Sequence, residues 1–456
     1  MINADELITQ YEQEGITRVK LAFADVDGVH RGKYISLDKF RSLASGTSGF
    51  CDCVLGWDVE DQLYDNGTYT GWHTAFPDAL YRLDLTTERR LAEERNIPMF
   101  LAEFVGKDDT PHPICPRSRL RHVLSIAEAR GYRPRMAFEY EFFVFKETPH
   151  SVRDKSYSNL VPLTPGNFGY SLLRTLSLSD LFNEFMDYCA DHDLGLEGLH
   201  CETGPGVWEA AIAVDDALAA ADKAALFKTM TKAFFQKRDM IATFMAKWSM
   251  DYPGQSGHCH QSLNALATGK SLFHDSAAPN QMSQLMRGYL GGLKTHMKPL
   301  LALTSPTINS YTRLVKGAWA PTAATWGVDN RTVALRVIPG SPKAQRIEFR
   351  VGSADANPYL VAAANLAAGL AGIQEDLDPG EPVQGNAYER QDGLPAEYQL
   401  FSNLRDATRA FHQSGVAREY LGDTFVDHFT ETRDWEVRQY ERFVNDWQLK
   451  RYFEII

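Results

Sequence analysis

Four short segments carry ionisable side chains at a spacing of two, where a packed strand would carry apolar ones. Residues 136–145 read MAFEYEFFVF and put Glu139 and Glu141 on one face, because side chains alternate along a strand. His258-Cys259-His260 does the same with two imidazoles, the thiol between them facing away into the packing. Arg346-Ile347-Glu348-Phe349-Arg350 sets three charges on one face against two apolar residues on the other. Residues 201–212 (CETGPGVWEAAI) place Glu202 and Glu209 on either side of a Gly-Pro-Gly turn that could return both carboxylates to one locus. A lone Glu-x-Glu pair is ordinarily a solvated sheet face. Four such segments, one of them carrying Phe142, Phe143 and Phe145, argue against that, since one face at least must be packed and a buried carboxylate needs a compensating cation. Several Glu with His and no thiolate form a donor set for Mg²⁺ or Mn²⁺ rather than Zn²⁺.

A fifth segment supplies the opposite charge. Residues 309–352 hold seven basic side chains (Arg313, Lys316, Arg331, Arg336, Lys343, Arg346, Arg350) against only Asp329 and Glu348, inside a chain of net charge −12. Arg forks match phosphate and carboxylate bidentately, and divalent metal with an Arg clamp is the usual apparatus of phosphoryl transfer. Neither common phosphate loop is present. Gly269-Lys270-Ser271 resembles the end of a Walker A loop but has Asn264 where the first Gly belongs, and Gly204-Pro205-Gly206 is followed by Glu209 where a dinucleotide fingerprint needs Gly.

These segments must be held by a scaffold, and 456 residues is more than one core requires, so two domains are expected. The boundary falls at residues 108–116 (DDTPHPICP), where three prolines disfavour both helix and central strand. Before it, residues 16–36 read as two strands around Asp27-Gly28, part of a small α+β domain. After it, helices alternate with the charged strands: 118–130 stopped by Gly131, 181–192 behind Ser179 as N-cap, 216–248, 281–304, and a buried one at 358–373. An acidic chain is a poor general nucleic-acid binder, the apolar stretch at 359–373 is too short and interrupted to span a membrane, and the acidic N-terminus shows no secretory signal. Six cysteines without a CxxC pair read as reduced thiols in a cytoplasmic protein.

MAFEYEFFVF, ETGPGVWEA, GQSGHCHQS, NSYTRLVKGAWAP, WGVDNRT and RIEFRVGSADANPYL, in that order over nearly the whole chain, resemble the motifs of the glutamine synthetase family. The resemblance implies an α+β protein: an N-terminal β-grasp domain (1–110) and a catalytic α/β domain of glutamine synthetase type (111–456). It implies stacked hexameric rings, a homo-dodecamer with each active site shared between neighbours. It also implies ATP as co-substrate and two or more Mg²⁺ or Mn²⁺ ions per site. One ion would be held by Glu141, Glu202 and Glu209, the other by Glu139, His258 and Glu348. Gly254, Arg313 and Arg350 would bind glutamate. His260, Ser262, Lys343 and Arg346 match nucleotide-side positions, and Arg331 and Arg336 match the arginines near the transferred phosphate. The family's flap falls at residues 315–322.

Departures from the family pattern shape the expected substrate. Trp319 stands where the flap of glutamine synthetase proper has a carboxylate. Counting back from Trp57 without gaps, Phe50 stands where an Asp of the neighbouring subunit helps bind ammonium, with Cys53 in place of Ser; Asp52 could substitute if the loop shifts. Val207 replaces a Gln, and Pro253 replaces the Asn before the glutamate-binding Gly. Two aromatics in place of two carboxylates suit a larger, partly apolar amine better than a compact cation. The expectation is a γ-glutamyl–amine ligase, with arylamine or alkylamine favoured and polyamine kept open by Asp52, Asp58 and Glu60. Ammonia-using glutamine synthetase and a non-catalytic protein on the same scaffold are the alternatives.

Overall fold

The computed structural model describes residues 3–456. Two sheets organise the chain. The first has strands in the order His30–Ser36, Arg18–Ala24, Ile97–Phe104, Asp78–Leu91, Ser48–Cys51. Its central pair, Arg18–Ala24 with Ile97–Phe104, is parallel, and the other neighbours are antiparallel. Arg18–Ala24 and His30–Ser36 form the hairpin expected around Asp27-Gly28, with Gly28 at φ +79° in the turn.

The second sheet has nine strands, running Trp326–Val328, Leu335–Ile338, Arg346–Phe349, Gly257–Ala265, Tyr132–Phe145, Val207–Ile212, Leu196–Cys201. Ile241–Thr243 and Asp215–Asp216 pair with the long strand Tyr132–Phe145. Along that strand Pro134, Met136, Phe138, Tyr140 and Phe142 are buried while Arg135, Ala137, Glu139 and Glu141 are only half-buried, the two-residue alternation that separates core from cavity. Helices Pro116–Ala129, Ala217–Gln236, Gln284–His296 and Pro358–Gln374 cover the apolar face. Pro358–Gln374 is buried along nearly its whole length, and a Cβ on Gly372 would lie 2.3 Å from the Gly288 carbonyl, so only glycine allows the two helices to pack this closely.

Two long helices are shorter than their composition suggests. The Ala-rich helix ends at Gln236 rather than Trp248, since Asp239 turns left-handed (φ +53°) and residues 241–243 join the sheet. The helix expected over 281–304 ends at His296, because Pro299 cannot continue the hydrogen-bond ladder, and resumes as Leu301–Thr304. The helix expected over 181–192 begins at Ser179 itself, so Ser179 is not its cap.

The first sheet ends at Phe104 and the second region opens with Pro116, the first residue of its helix. The two are tied tightly together. Arg117 is buried and meets Asp222 at 2.8 Å, Asp84 at 2.8 Å and Glu103 at 3.2 Å, joining strands of the first sheet to the long Ala-rich helix. Asn357 caps Pro358–Gln374 and donates to the carbonyls of Asp25 (3.1 Å) and Val26 (3.0 Å) in the hairpin. All six cysteines are free, and among the described residues no helix is long and apolar enough to cross a membrane.

Candidate active site

Strand pairing draws the charged segments into one row across the second sheet. Arg336 lies opposite Glu348, Glu348 opposite His260, His258 opposite Glu139, Glu141 opposite Glu209, and Glu209 opposite His200. The row lines a cavity of about 330 Å³ whose walls include Glu139, Glu141, Glu202, Glu209, His258, Arg313, Trp319, Arg331, Arg336, Glu348 and Arg350.

The cavity has two ends of opposite character. At one end, the ligand atoms of Glu139, His260 and Glu348 lie within 4.8 Å of one another, as do those of His200, Glu202 and Glu209. His258 belongs with the first group, its Nδ1 being 3.4 Å from Glu348 and 3.7 Å from Glu139. His260 takes an N–H from Arg346 on Nδ1 (3.2 Å), which leaves Nε2 to donate to Glu139 (3.1 Å). Glu141 is held differently, accepting the Ser256 N–H at 2.7 Å. Glu139 meets His258, His260 and Glu209, and Glu202 meets His200 and both the N–H and the hydroxyl of Thr203. Burial and the carboxylates of Glu139, Glu141 and Glu202 push the Glu209 carboxyl up to about 11. Such crowding of oxygen and imidazole donors, with no thiolate, is the chemistry of a site for hard divalent cations.

Guanidinium groups dominate the other end, and Glu348 stands where the two ends meet. Burial would raise Glu348, yet His258, Arg350, His260 and Arg336 bring it down to about 2. Arg336 reaches Glu348 at 3.0 Å and Asp329 at 3.0 Å, and Arg350 pairs with the other Glu348 oxygen. Arg313 is buried, with its terminal nitrogens on the carbonyls of Val351 (2.9 Å) and Arg350 (3.2 Å). A Cβ on Gly254 would lie 2.6 Å from Arg313 Cγ and 2.8 Å from the Ala246 carbonyl, so this position requires glycine. Trp319 stands at the rim in the left-handed region (φ +58°), 67% exposed, two residues after Gly317 at φ +80°.

This segregated cavity on a mixed sheet matches a known catalytic domain. The model of the glutamine synthetase catalytic domain fits residues 113–452. The chain belongs to the glutamine synthetase family. It is 46% identical over 459 residues to type-1 glutamine synthetase 2 of Dictyostelium discoideum, spanning 100% of this chain and 87% of that one. It is 36% identical over 447 residues to the glutamate–isopropylamine ligase of a Pseudomonas species, spanning 98% and 96%. A solved structure of GmaS in complex with ADP superposes with a TM-score of 0.85 at 29% identity, covering 98% of this chain and 99% of that one.

Within this family member, twelve of the residues singled out from the sequence share the cavity: Glu139, Glu141, Glu202, Glu209, His258, Glu348, Gly254, Arg313, Arg350, Arg331, Arg336 and Trp319. Of the four nucleotide-side positions, His260 and Arg346 reach its edge through Glu139. Ser262 is half-buried further along the same strand face, and Lys343 is exposed. Phe50, Asp52 and Trp57 do not reach the cavity of their own chain. Phe50 packs on Phe23 (4.7 Å between ring centroids) beneath Lys33, and Arg31 lies over the Trp57 ring. Asp52 is 6% exposed in this chain, and burial raises its carboxyl.

His200 and Tyr170 are among the residues near the cavity that escaped the sequence reading. His200 bridges Glu202 (3.2 Å) and Glu209 (3.9 Å), and Tyr170 stacks on the His200 ring at 4.3 Å. His200 carries the same spacing-of-two signal relative to Glu202 that revealed the other strands. Tyr170 lies in an irregular segment with no periodicity to mark it.

Proposed function

We propose that this protein is an ATP-dependent ligase that joins the γ-carboxylate of L-glutamate to an amine larger and more apolar than ammonia. The observation that carries the reading is the rim of the cavity. Residues 315–322 (VKGAWAPT) contain no carboxylate, and the side chain presented there is an exposed indole. An aromatic wall buries ligand surface and excludes water, whereas a compact ammonium ion needs anionic partners. Arylamines and alkylamines fit best, and an arylamine is already neutral near pH 7. Of the acids that keep a polyamine open, Asp52 is buried and Asp58 accepts the Trp435 indole N–H at 2.9 Å, while Glu60 is exposed.

The residues divide the work by charge. Glu139, Glu141, Glu202, Glu209, His258 and Glu348, joined by His200 and His260, would hold the divalent ions, which neutralise phosphate oxygens when bound. Arg331 and Arg336 face the same space and stabilise charge on the group transferred from ATP to the glutamate γ-carboxylate. Arg336 is pre-aimed by Asp329 and Glu348, so its orientation is set before substrate arrives. Arg313, Arg350 and Gly254 shape the glutamate pocket, and His260, Ser262, Lys343 and Arg346 lie toward the nucleotide. The acyl phosphate so formed must be shielded from water until the amine attacks, the task of the segment around Trp319.

Residues 1–110, with their mixed five-stranded sheet, are read as a β-grasp domain, and residues 111–456 as the catalytic domain. That Phe50 and Trp57 do not serve their own chain's cavity supports a ring assembly in which they face a neighbour's, the arrangement of a homo-dodecamer. Six free thiols and no membrane-crossing helix among the described residues support a cytoplasmic enzyme.

One finding favours a second reading, ammonia as the nitrogen donor: the 46% identical relative carries the name of a glutamine synthetase. The non-catalytic alternative has less support, since all six proposed ligand positions retain carboxylate or imidazole. Phosphate release with ATP, L-glutamate and a panel of amines separates the three. Arylamine or alkylamine above ammonium supports the ligase, ammonium above all others overturns it in favour of the second reading, and no turnover leaves the scaffold protein.

A further inference from the structure

A second cavity, of about 370 Å³, shares no lining residue with the active site. It opens between the first sheet and the Ala-rich helix Ala217–Gln236. Leu226, Met230, Ala233 and Lys237 follow one another there at helical spacing, so they form one stripe facing the cavity. Ala22 and Met99 face that stripe from the paired strands Arg18–Ala24 and Ile97–Phe104. The walls are therefore apolar, and their two methionines adapt to the shape of a guest.

The mouth is polar, and its charges are matched. A turn at Ala92–Glu94 sends one carboxylate to each side. Glu94 accepts from Lys20 on the sheet, at 2.7 Å to each oxygen, and from the Tyr34 hydroxyl at 2.5 Å. Glu93 pairs with Lys237 at the end of the helix. Arg31 and Lys33 project from the other face of their strand, over the rings of Trp57 and Phe50. A further ion would find no free counter-charge here, and burying an unpaired charge is costly. Acceptors do remain. Glu93 accepts from Lys237 alone among the described residues, and His192 donates from Nδ1 to the Tyr188 carbonyl at 2.7 Å, which leaves Nε2 of the neutral ring as an acceptor. An apolar cavity of roughly 150 Å³ holds one benzene ring, so this one has room for two fused rings.

We propose that this cavity is a second small-molecule site, for an uncharged two-ring aromatic molecule carrying an N–H or O–H donor. The rings lie against Met99, Met230 and Ala233, and the donor meets Glu93 or His192 at the mouth. The site is independent of the ligase reading, yet it adjoins the catalytic strand. Phe227, next to Leu226, stacks on Tyr140 with ring centroids 6.2 Å apart, and Tyr140 stands between Glu139 and Glu141.

Indole is the probe, titrated calorimetrically into the assembled enzyme without nucleotide or glutamate. Saturable binding is expected. N-methylindole, which lacks the donor, should bind about fivefold more weakly, as loss of one hydrogen bond implies. Indole carboxylate should bind about tenfold more weakly or worse, because its charge has no partner. Ala233→Trp fills the cavity from the helix side and should abolish indole binding while the melting temperature stays near wild type. No saturable binding of indole, or binding unchanged in folded Ala233→Trp, overturns the site. Equal binding of the carboxylate or of N-methylindole overturns the ligand class. Should Ala233→Trp not fold, a brominated indole soaked into wild-type crystals decides. Anomalous signal from bromine between Met99 and Met230 is expected, and bromine found only elsewhere, or not at all, overturns the site.

Discussion

The sheet wall of the cavity and the loop at its rim are built on opposite terms. Glu139, His258, Glu209 and Glu348 project from paired strands whose opposite faces are packed under helices, so their positions are set by register. Trp319 projects from an irregular turn with left-handed backbone at Gly317 and at Trp319 itself, and its indole is mostly exposed. A bulky residue at positive φ stores about 1–3 kcal/mol of strain. The contrast separates two tasks: phosphoryl chemistry needs fixed charges, and choice of amine needs a surface that can differ without disturbing them. Changes on the sheet should therefore abolish turnover, and changes at the rim should redirect it.

The largest effect belongs to the sheet. Glu348→Ala leaves Arg336, buried Arg350 and His258 without their shared carboxylate, and turnover should fall about 1,000-fold or more. Retained activity by phosphate release would break the assignment of the acidic end. Removing divalent cations with a chelator should likewise abolish turnover. It should also lower the melting temperature by several degrees, roughly what loss of a tightly bound ligand implies, because the crowded carboxylates lose their counter-charge. A melting curve indifferent to chelator and to added Mg²⁺ or Mn²⁺ would contradict a metal site there.

Gly254→Ala comes next. The added Cβ cannot fit against Arg313 and the Ala246 carbonyl, and a shift of Arg313 should raise the KM for L-glutamate about 100-fold, the usual cost of misplacing a binding group by an ångström. An unchanged KM would place the glutamate pocket elsewhere. The smallest effect, and the sharpest for the comparison, is expected at the rim. Trp319→Glu should leave ATP turnover in place and move the preference between ammonium and a bulky amine about tenfold toward ammonium, roughly 1.4 kcal/mol. No change in that ratio would make Trp319 a structural residue and dissolve the distinction between wall and rim.

The legibility of the molecule follows the same division. Glu139 and Glu141, His258 and His260, and Arg346, Glu348 and Arg350 were readable because a strand repeats every two residues, and charge at that period on a packed strand is conspicuous. His200 offered the same signal one strand away. The burial of Asp52 was not readable, since it lies in a short helical turn where period says nothing about direction. The ends of the long helices followed from Pro299 and from the left-handed turn at Asp239, one legible as proline and the other a backbone conformation that an Asp does not announce.

The central claim is that the rim selects an amine larger than ammonia while the sheet performs the phosphoryl chemistry. Its most direct test is a competition: enzyme, ATP, Mg²⁺ or Mn²⁺ and L-glutamate with equal concentrations of ammonium and an arylamine or short alkylamine, the products weighed by mass spectrometry. The account predicts that the γ-glutamyl amide of the organic amine exceeds glutamine. Glutamine as the dominant product would contradict it.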